Sequence, residues 1–398
     1  MPRTSRIPLG VVFCLLAATG RCADPAAIDV AAYYFPNWGP VAASEWGLVR
    51  AAKPQFEGHL QPKVPTWGYE NENDPAVMAR KIEAATAHGI NAFIFDWYFF
   101  DPQPEAEKAT GYTPWDGQKY LSRALERGFL EAPNNRDIRF ALLWCNHDVG
   151  PAKGAVTPAT FDALTSYVVD TYFRHPSSWK IDGKPYFSIY STKTFLESFG
   201  NDLDAAAAAI ERFREKTRAA GFPGLHLNAV LWGLPKQSPD DAIRRLGIDS
   251  TTSYVWIHHN VLPDFPATDY GKAAAAYFKA VKKGGGYNGL DRPAAALPVP
   301  YHPNVSMGWD SSPRCRNAAD WTTRRGYPFG PVIVNNTPTA FRQALERAKT
   351  LATANPPGHR IVTINAWNEW GEGSYVEPDT THGMDYLDAI RAVFPPRR

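Results

Sequence analysis

Eight short apolar runs, each followed after a loop by a segment of helical length, divide this 398-residue chain into a regular alternation. The strand-like runs lie at 30–35, 90–95, 140–145, 186–190, 225–231, 250–254, 297–301 and 361–366. Helical segments are expected at 75–88, 118–127, 158–173, 204–219, 239–246, 270–283, 338–354 and 385–393. The strand-like runs lack the polar alternation of a half-exposed sheet, so both of their faces should be buried, as in a parallel sheet covered by helices. Asp74-Pro75 and Thr337-Pro338 supply an N-cap with proline at the first helical position, while Gly89 and Gly221 supply stops. Eight such units predict an α/β fold of the (β/α)8 TIM-barrel type, a single domain over residues 24–398. A doubly wound open sheet is the alternative. It would carry a glycine-rich phosphate loop after its first strand, where this chain has Phe35-Pro36-Asn37-Trp38.

The amino terminus reads as a secretory signal over residues 1–23: Arg3 and Arg6, an apolar stretch over 9–18, then small residues to Ala23. The stretch is too short to span a bilayer, so no integral membrane span is expected and the protein should be secreted or periplasmic. Cys22 raises the alternative of a lipid anchor, which Arg21 disfavours. A net charge of +2 without a basic run gives no footprint for nucleic acid. No cysteine or histidine spacing resembles a metal site, and neither metal nor cofactor is expected. Cys145 reads as a core thiol, and a disulfide with Cys315 stays open.

Barrel enzymes place their chemistry at the carboxyl ends of the strands. Nearly every such end here offers an aromatic ring with a hydrogen-bonding group: Tyr34; Asp96, Trp97 and Tyr98; Asn146 and His147; Tyr254; Trp309 and Asp310. These are candidate contacts for a neutral, hydroxyl-rich ligand that stacks on rings, which describes a carbohydrate. The last strand runs into Trp367-Asn368-Glu369-Trp370-Gly371-Glu372-Gly373. Glu369 and Glu372 are the candidate catalytic pair, since glycosidic cleavage needs two carboxyls in opposite roles. Trp367, Asn368 and Trp370 are the candidate contacts around them. The competing reading is a surface loop with solvated glutamates and tryptophans that plug the barrel end. Glu377 is expected behind the site, and His258-His259 carry no assigned role.

The 92–98 strand end, the Gly308-Trp309-Asp310-Ser311-Ser312-Pro313-Arg314 segment and the 367–378 stretch together resemble the family-99-like glycoside hydrolases. More closely, they resemble the WbsX-type branch, often labelled glycosyltransferase-associated. Gly58-His59-Leu60-Gln61-Pro62 and Asp182-Gly183-Lys184-Pro185 also look like that branch. The resemblance implies a barrel and a retaining glycosidase lineage acting on alpha-linked, mannose-type sugars. It implies that Glu369 deprotonates the sugar's own 2-hydroxyl, which attacks the anomeric carbon. Glu372 then protonates the leaving oxygen and later activates water. The endo-mannosidases carry histidine where this chain has Gly371, whereas WbsX-type motifs carry glycine. Two other classes stay open: a glycosyltransferase of polysaccharide assembly, and a catalytically silent carbohydrate-binding barrel.

Overall fold

A computed structural model describes residues 27–39, 45–103, 114–235, 239–259, 262–284, 292–315, 321, 323–324 and 326–397. The segment read as a signal, with Cys22, lies outside them.

Nine strands form one parallel path: β1 Asp29–Tyr34, β2 Ala92–Phe99, β3 Arg139–Trp144, β4 Lys184–Ile189, β5 His226–Val230, β6 Ser250–Thr252, β7 Tyr301–His302, β8 Asn304–Ser306 and β9 Ile361–Asn365. β1 pairs with β2 on one side and β9 on the other, and the order then runs through β3, β4, β5 and β6 to β7. β8 pairs with β9. β7 and β8 are two halves of one barrel strand, separated only by Pro303. Proline lacks the N–H a ladder needs, so the strand breaks there. Its first half continues β6 and its second half meets β9, which closes the ring into the (β/α)8 barrel. The sequence reading placed this strand at 297–301. The paired backbone begins later, because the pairing residues of this strand flank Pro303.

The helices that follow the strands include α1 Glu45–Ala51, α2 Pro75–Ala87, α3 Pro158–Tyr167, α4 Thr192–Glu197, α5 Leu203–Ala219, α6 Pro239–Leu246, α7 Tyr270–Lys283, α8 Pro338–Thr353 and α9 Asp385–Val393. The caps are those the sequence announced: the Asp74 side chain accepts from Ala76 N–H, and Thr337 from Ala340 N–H. Gly89, at φ +87°, ends α2 where a side chain would strike the Phe394 carbonyl. None of the described helices is long and apolar enough to cross a membrane. One predicted helix is displaced. Residues 118–127 do not start as a helix, because Lys119–Tyr120 pairs with Trp115–Asp116 and with the outer end of β2, Tyr98 facing Tyr120. A π-helical turn, Ala124–Phe129, follows instead. The excursion raises a small hairpin above the barrel's carboxyl end, where it walls the site.

Candidate active site

β9 ends at Asn365, and the chain turns into a tight antiparallel hairpin of Asn368–Glu369 against Ser374–Tyr375. A single 3-10 turn, Trp370–Glu372, forms its tip. Glu369 and Glu372 therefore stand three residues apart on one compact loop. Asn368 pins the loop to the end of β1, accepting from Phe35 N–H at 2.8 Å and donating to its carbonyl at 2.9 Å.

Both glutamates line a cavity of about 510 Å³ at the carboxyl end of the barrel. Asp96, Tyr98, His147, Tyr254 and Trp309, all named from the sequence, line it too. So do Tyr190, Trp232 and His258, with ring centroids 5.0 Å apart for Tyr190 and Trp232 and 4.9 Å for Trp232 and His258. Tyr120 and Leu121 reach in from the hairpin.

The remaining named residues sit elsewhere. Trp367 is fully buried against Phe93, its ring centroid 5.1 Å away. Trp370 stacks on Tyr375 at 3.6 Å and donates its indole N–H to Glu377. Both indoles are buried in side-chain packing and neither lines the cavity. Tyr34 packs on Phe95 on the helix-facing side of the sheet, where Phe95 meets Phe129, and Trp97 donates to Tyr172. Asn146 bonds the Ser191 backbone in both directions. These side chains brace the floor and do not meet a ligand in the cavity.

Asp310 is likewise withdrawn. Its Oδ2 accepts from Gln61 at 2.7 Å and Lys63 at 3.1 Å, with His59 at 2.9 Å. Burial opposes ionisation there, but Lys63 and His59 hold the carboxyl well below the usual range. The motif residues His59 and Gln61 thus serve this loop. Arg314 pairs with Glu45 at 2.7 Å and lies 3.6 Å from Glu372, both partners lining the cavity. Gly371 makes room for that pair: a Cβ at 371 would come within 2.8 Å of Glu45 Oε2 and 3.2 Å of Arg314.

The electrostatics suit proton transfer. Burial pushes Glu369 well above the carboxylate range, and the charges of Glu372 and Asp96 add to the push. Burial also raises Glu372, with Arg314 and the Tyr327 hydroxyl, 2.8 Å away, pulling back. Burial lowers His258 to about 3, so it faces the cavity as a neutral ring. Among the described residues no group of three or more His, Cys, Asp or Glu side chains is placed to hold a metal. Cys145 and Cys315 are both buried and do not pair with each other in a disulfide.

Beneath the loop lies a buried ion triad. Lys81 reaches Glu72 at 2.5 Å and Glu377 at 2.6 Å, while Asn368 donates to Glu72 at 2.9 Å. The neighbours on both sides of Glu369, Asn368 and Trp370, are therefore tied to one buried lysine.

The protein is thus a (β/α)8 barrel with two glutamates in a ring-lined cavity at the carboxyl end of its strands. The family model described as glycosyltransferase WbsX matches residues 36–390, and the chain belongs to that family. It is 27% identical over 397 residues to the uncharacterised protein WxcX of Xanthomonas campestris pv. campestris strain B100. That alignment covers 90% of this chain and 48% of WxcX, so the chain spans about half the length of the curated relatives it matches. Among solved structures, a GH99 endo-alpha-mannosidase from Bacteroides thetaiotaomicron superposes with a TM-score of 0.52 at 18% identity, covering 93% of this chain and 96% of the enzyme. A glycoside hydrolase-like protein superposes with a TM-score of 0.57 at 14% identity, covering 98% and 97%. At these identities the likeness establishes the fold.

Proposed function

We propose that this protein is a glycoside hydrolase that cleaves an alpha-linked, mannose-type oligosaccharide or polysaccharide, with Glu369 and Glu372 as its acid–base pair. The observation that carries the reading is the placement of both carboxyls, each raised by desolvation, in one ring-lined cavity of about 510 Å³. Rings around the cavity offer stacking faces to a sugar, and no phosphate-cradling loop is present in the sequence.

In this reading Glu369 takes the proton of the sugar's 2-hydroxyl as that oxygen closes on the anomeric carbon. Glu372 gives its proton to the departing glycosidic oxygen, then takes one from the water that reopens the ring. Glu372 is suited to the acid role because Glu45 shares the Arg314 charge, leaving the glutamate's raised proton affinity in place. The reading extends to a secreted or periplasmic protein, from the signal-like residues 1–23.

The family model's description favours a second reading, sugar transfer to a glycan acceptor. One experiment separates them: reducing-sugar release from a panel of alpha-mannans and other polysaccharides, by wild type beside Glu369→Gln and Glu372→Gln. Release that falls by a factor of about 10² to 10⁴ in both variants supports the hydrolase. Activity that survives both substitutions sinks the assignment of the pair. Sugar binding without release, with products appearing only when an acceptor glycan is added, establishes the transferase.

A further inference from the structure

One phenol stands between two buried carboxyls in the cavity wall. Tyr254 Oη lies 2.8 Å from Asp96 Oδ2 and 3.0 Å from Glu369 Oε1. A phenol has one proton and cannot donate to both neighbours at once, and an ionised carboxylate only accepts. With both carboxyls ionised, one of these short contacts would set oxygen against oxygen with no hydrogen between them. Burial would leave that repulsion poorly screened. The contacts close when one carboxyl is protonated: it donates to the phenol oxygen, and the phenol donates to the other.

The surroundings say which one. Asp96 is buried, with the Tyr254 hydroxyl as its hydrogen-bond partner, the Cys145 thiol beside it and the Glu372 charge nearby. No cation acts among these influences on it. Burial and the Glu372 charge raise Glu369 as well, but of the two carboxyls it alone feels the Arg314 guanidinium, and a protonated Asp96 sets no charge against it; its Oε2, like Asp96 Oδ1, has no hydrogen-bond partner. The geometry points to an acid–phenol–base chain in which Asp96 keeps a proton, donates it to Tyr254, and so turns the Tyr254 hydroxyl onto Glu369, leaving that carboxylate as the base. Asp96 is thus a positioning residue that acts through Tyr254.

The chemistry balances. When Glu369 takes the proton of a substrate hydroxyl, that O–H bond breaks and a carboxyl O–H forms on Glu369, while Asp96 and Tyr254 keep their own protons. An ionised Asp96 would instead draw the phenol proton to itself and repel the charge Glu369 must carry. Burial pushes Asp96 up to about 8, with the Tyr254 hydrogen bond pulling it back. The other titratable groups facing the chain are Tyr33, Tyr98, Cys145, Tyr190, Arg314 and Glu372, with the His258 ring, held neutral by burial, stacked on Tyr254 at 6.0 Å. Burial raises the three tyrosines and the thiol, so they stay neutral, and charge near the chain is left to Arg314 and Glu372.

The role of Glu369 as base rests on the hydrolase reading, but the shared proton belongs to the ligand-free protein and is measured there. Infrared difference spectra of ligand-free protein across pH 6 to 10 should show a protonated carboxyl that is lost through about 8. Glu372 contributes a protonated carboxyl of its own, which Glu372→Gln removes; the band that remains in Glu372→Gln should be lost when Asp96→Asn is added. A neutral-pH spectrum of Glu372→Gln without a protonated carboxyl, or one that adding Asp96→Asn leaves intact, overturns the chain. The activity arm uses the rescue that an amide donor offers. Asp96→Asn, which can still donate to Tyr254, should retain activity within about tenfold, while Asp96→Ala falls by about a hundredfold or more. Equal loss in the two variants overturns the positioning role. If no substrate is ever turned over but the infrared signature appears, the hydrolase reading fails and the proton chain stands.

Discussion

The two ends of this barrel bury titratable groups in opposite ways. At the carboxyl end the buried Asp96 and Glu369 and the half-buried Glu372 are acids pushed up by desolvation, around a cavity that a ligand can fill. At the amino end the rings of His226, His302 and His359 gather beside Tyr186, with His226 5.4 Å from Tyr186, 5.5 Å from His359 and 6.5 Å from His302. Burial holds His302 near 3 and pushes His226 well below its ordinary value. Asp96, pushed up to about 8, is poised to exchange a proton, whereas His226 and His302 are kept neutral as packing. The same cause, burial, builds a reactive end and an inert one because it raises acids and lowers bases.

The ion triad under the active-site loop offers the hardest test of that contrast. Lys81→Met would leave Glu72 and Glu377 facing each other in a buried site with no cation, and burial with the Glu377 charge already lifts Glu72 to about 7. Breaking such a pair costs about 3–5 kcal/mol. Chemical denaturation should show that loss, and the triple variant Glu72→Gln, Lys81→Met, Glu377→Gln should regain much of it. A single-variant loss below about 1 kcal/mol would show that the triad does not hold the loop.

A smaller effect compares the ends directly through pH. The folded value of Asp96 lies above its ordinary 3.8, so its contribution to stability is full below 3.8 and is lost as pH rises through about 8. The folded value of His302 lies below its ordinary 6.5, so its contribution is full above 6.5 and is lost as pH falls toward about 3. Each shifted group changes stability by about 1.4 kcal/mol per pH unit inside its window. Asp96→Asn should flatten the decline between pH 5 and 8, and His302→Phe should flatten the decline between pH 6 and 4. His302 is buried with both ring nitrogens unpartnered, so phenylalanine leaves no hydrogen bond unmade. If either substitution left its limb unchanged, that end of the barrel would not behave as described.

Sequence reading located most of the scaffold because parallel barrel strands are continuous apolar runs and their helices are punctuated locally. It lost register at Pro303, where a proline inside one strand is resolved only by which neighbour each half pairs with. It lost the 118–127 helix because Tyr120 answers to Tyr98 in β2, a long-range demand that no local propensity carries. The glutamate pair was visible as a motif on one loop. Trp367 and Trp370 were equally visible, yet residue type and spacing do not say whether an indole faces a cavity or the core. Glu45 and Tyr327 escaped notice. Glu45 meets Arg314 across 269 residues of chain, and Tyr327 reaches Glu372 from an otherwise exposed position. The only local hint was Gly371, whose missing side chain leaves space for the Glu45–Arg314 pair.

That pair carries the finest prediction. Glu45 raises Glu372 by its own charge and also holds the Arg314 cation at 2.7 Å, against 3.6 Å from Arg314 to Glu372. Glu45→Gln removes the charge and frees the guanidinium to pair with Glu372, and both changes favour the ionised glutamate. An opposite charge at such range lowers a carboxyl by about one unit or more. Glu372 should then lose its proton at lower pH, and the alkaline fall of activity should move down by about one pH unit. Tyr327→Phe removes a donor that stabilises the Glu372 carboxylate, so it should move the same limb upward. Infrared titration of the ligand-free variants reads both shifts without a substrate. Opposite displacements tie the proton of Glu372 to these two neighbours, and shifts of the same sign would show that burial alone sets it.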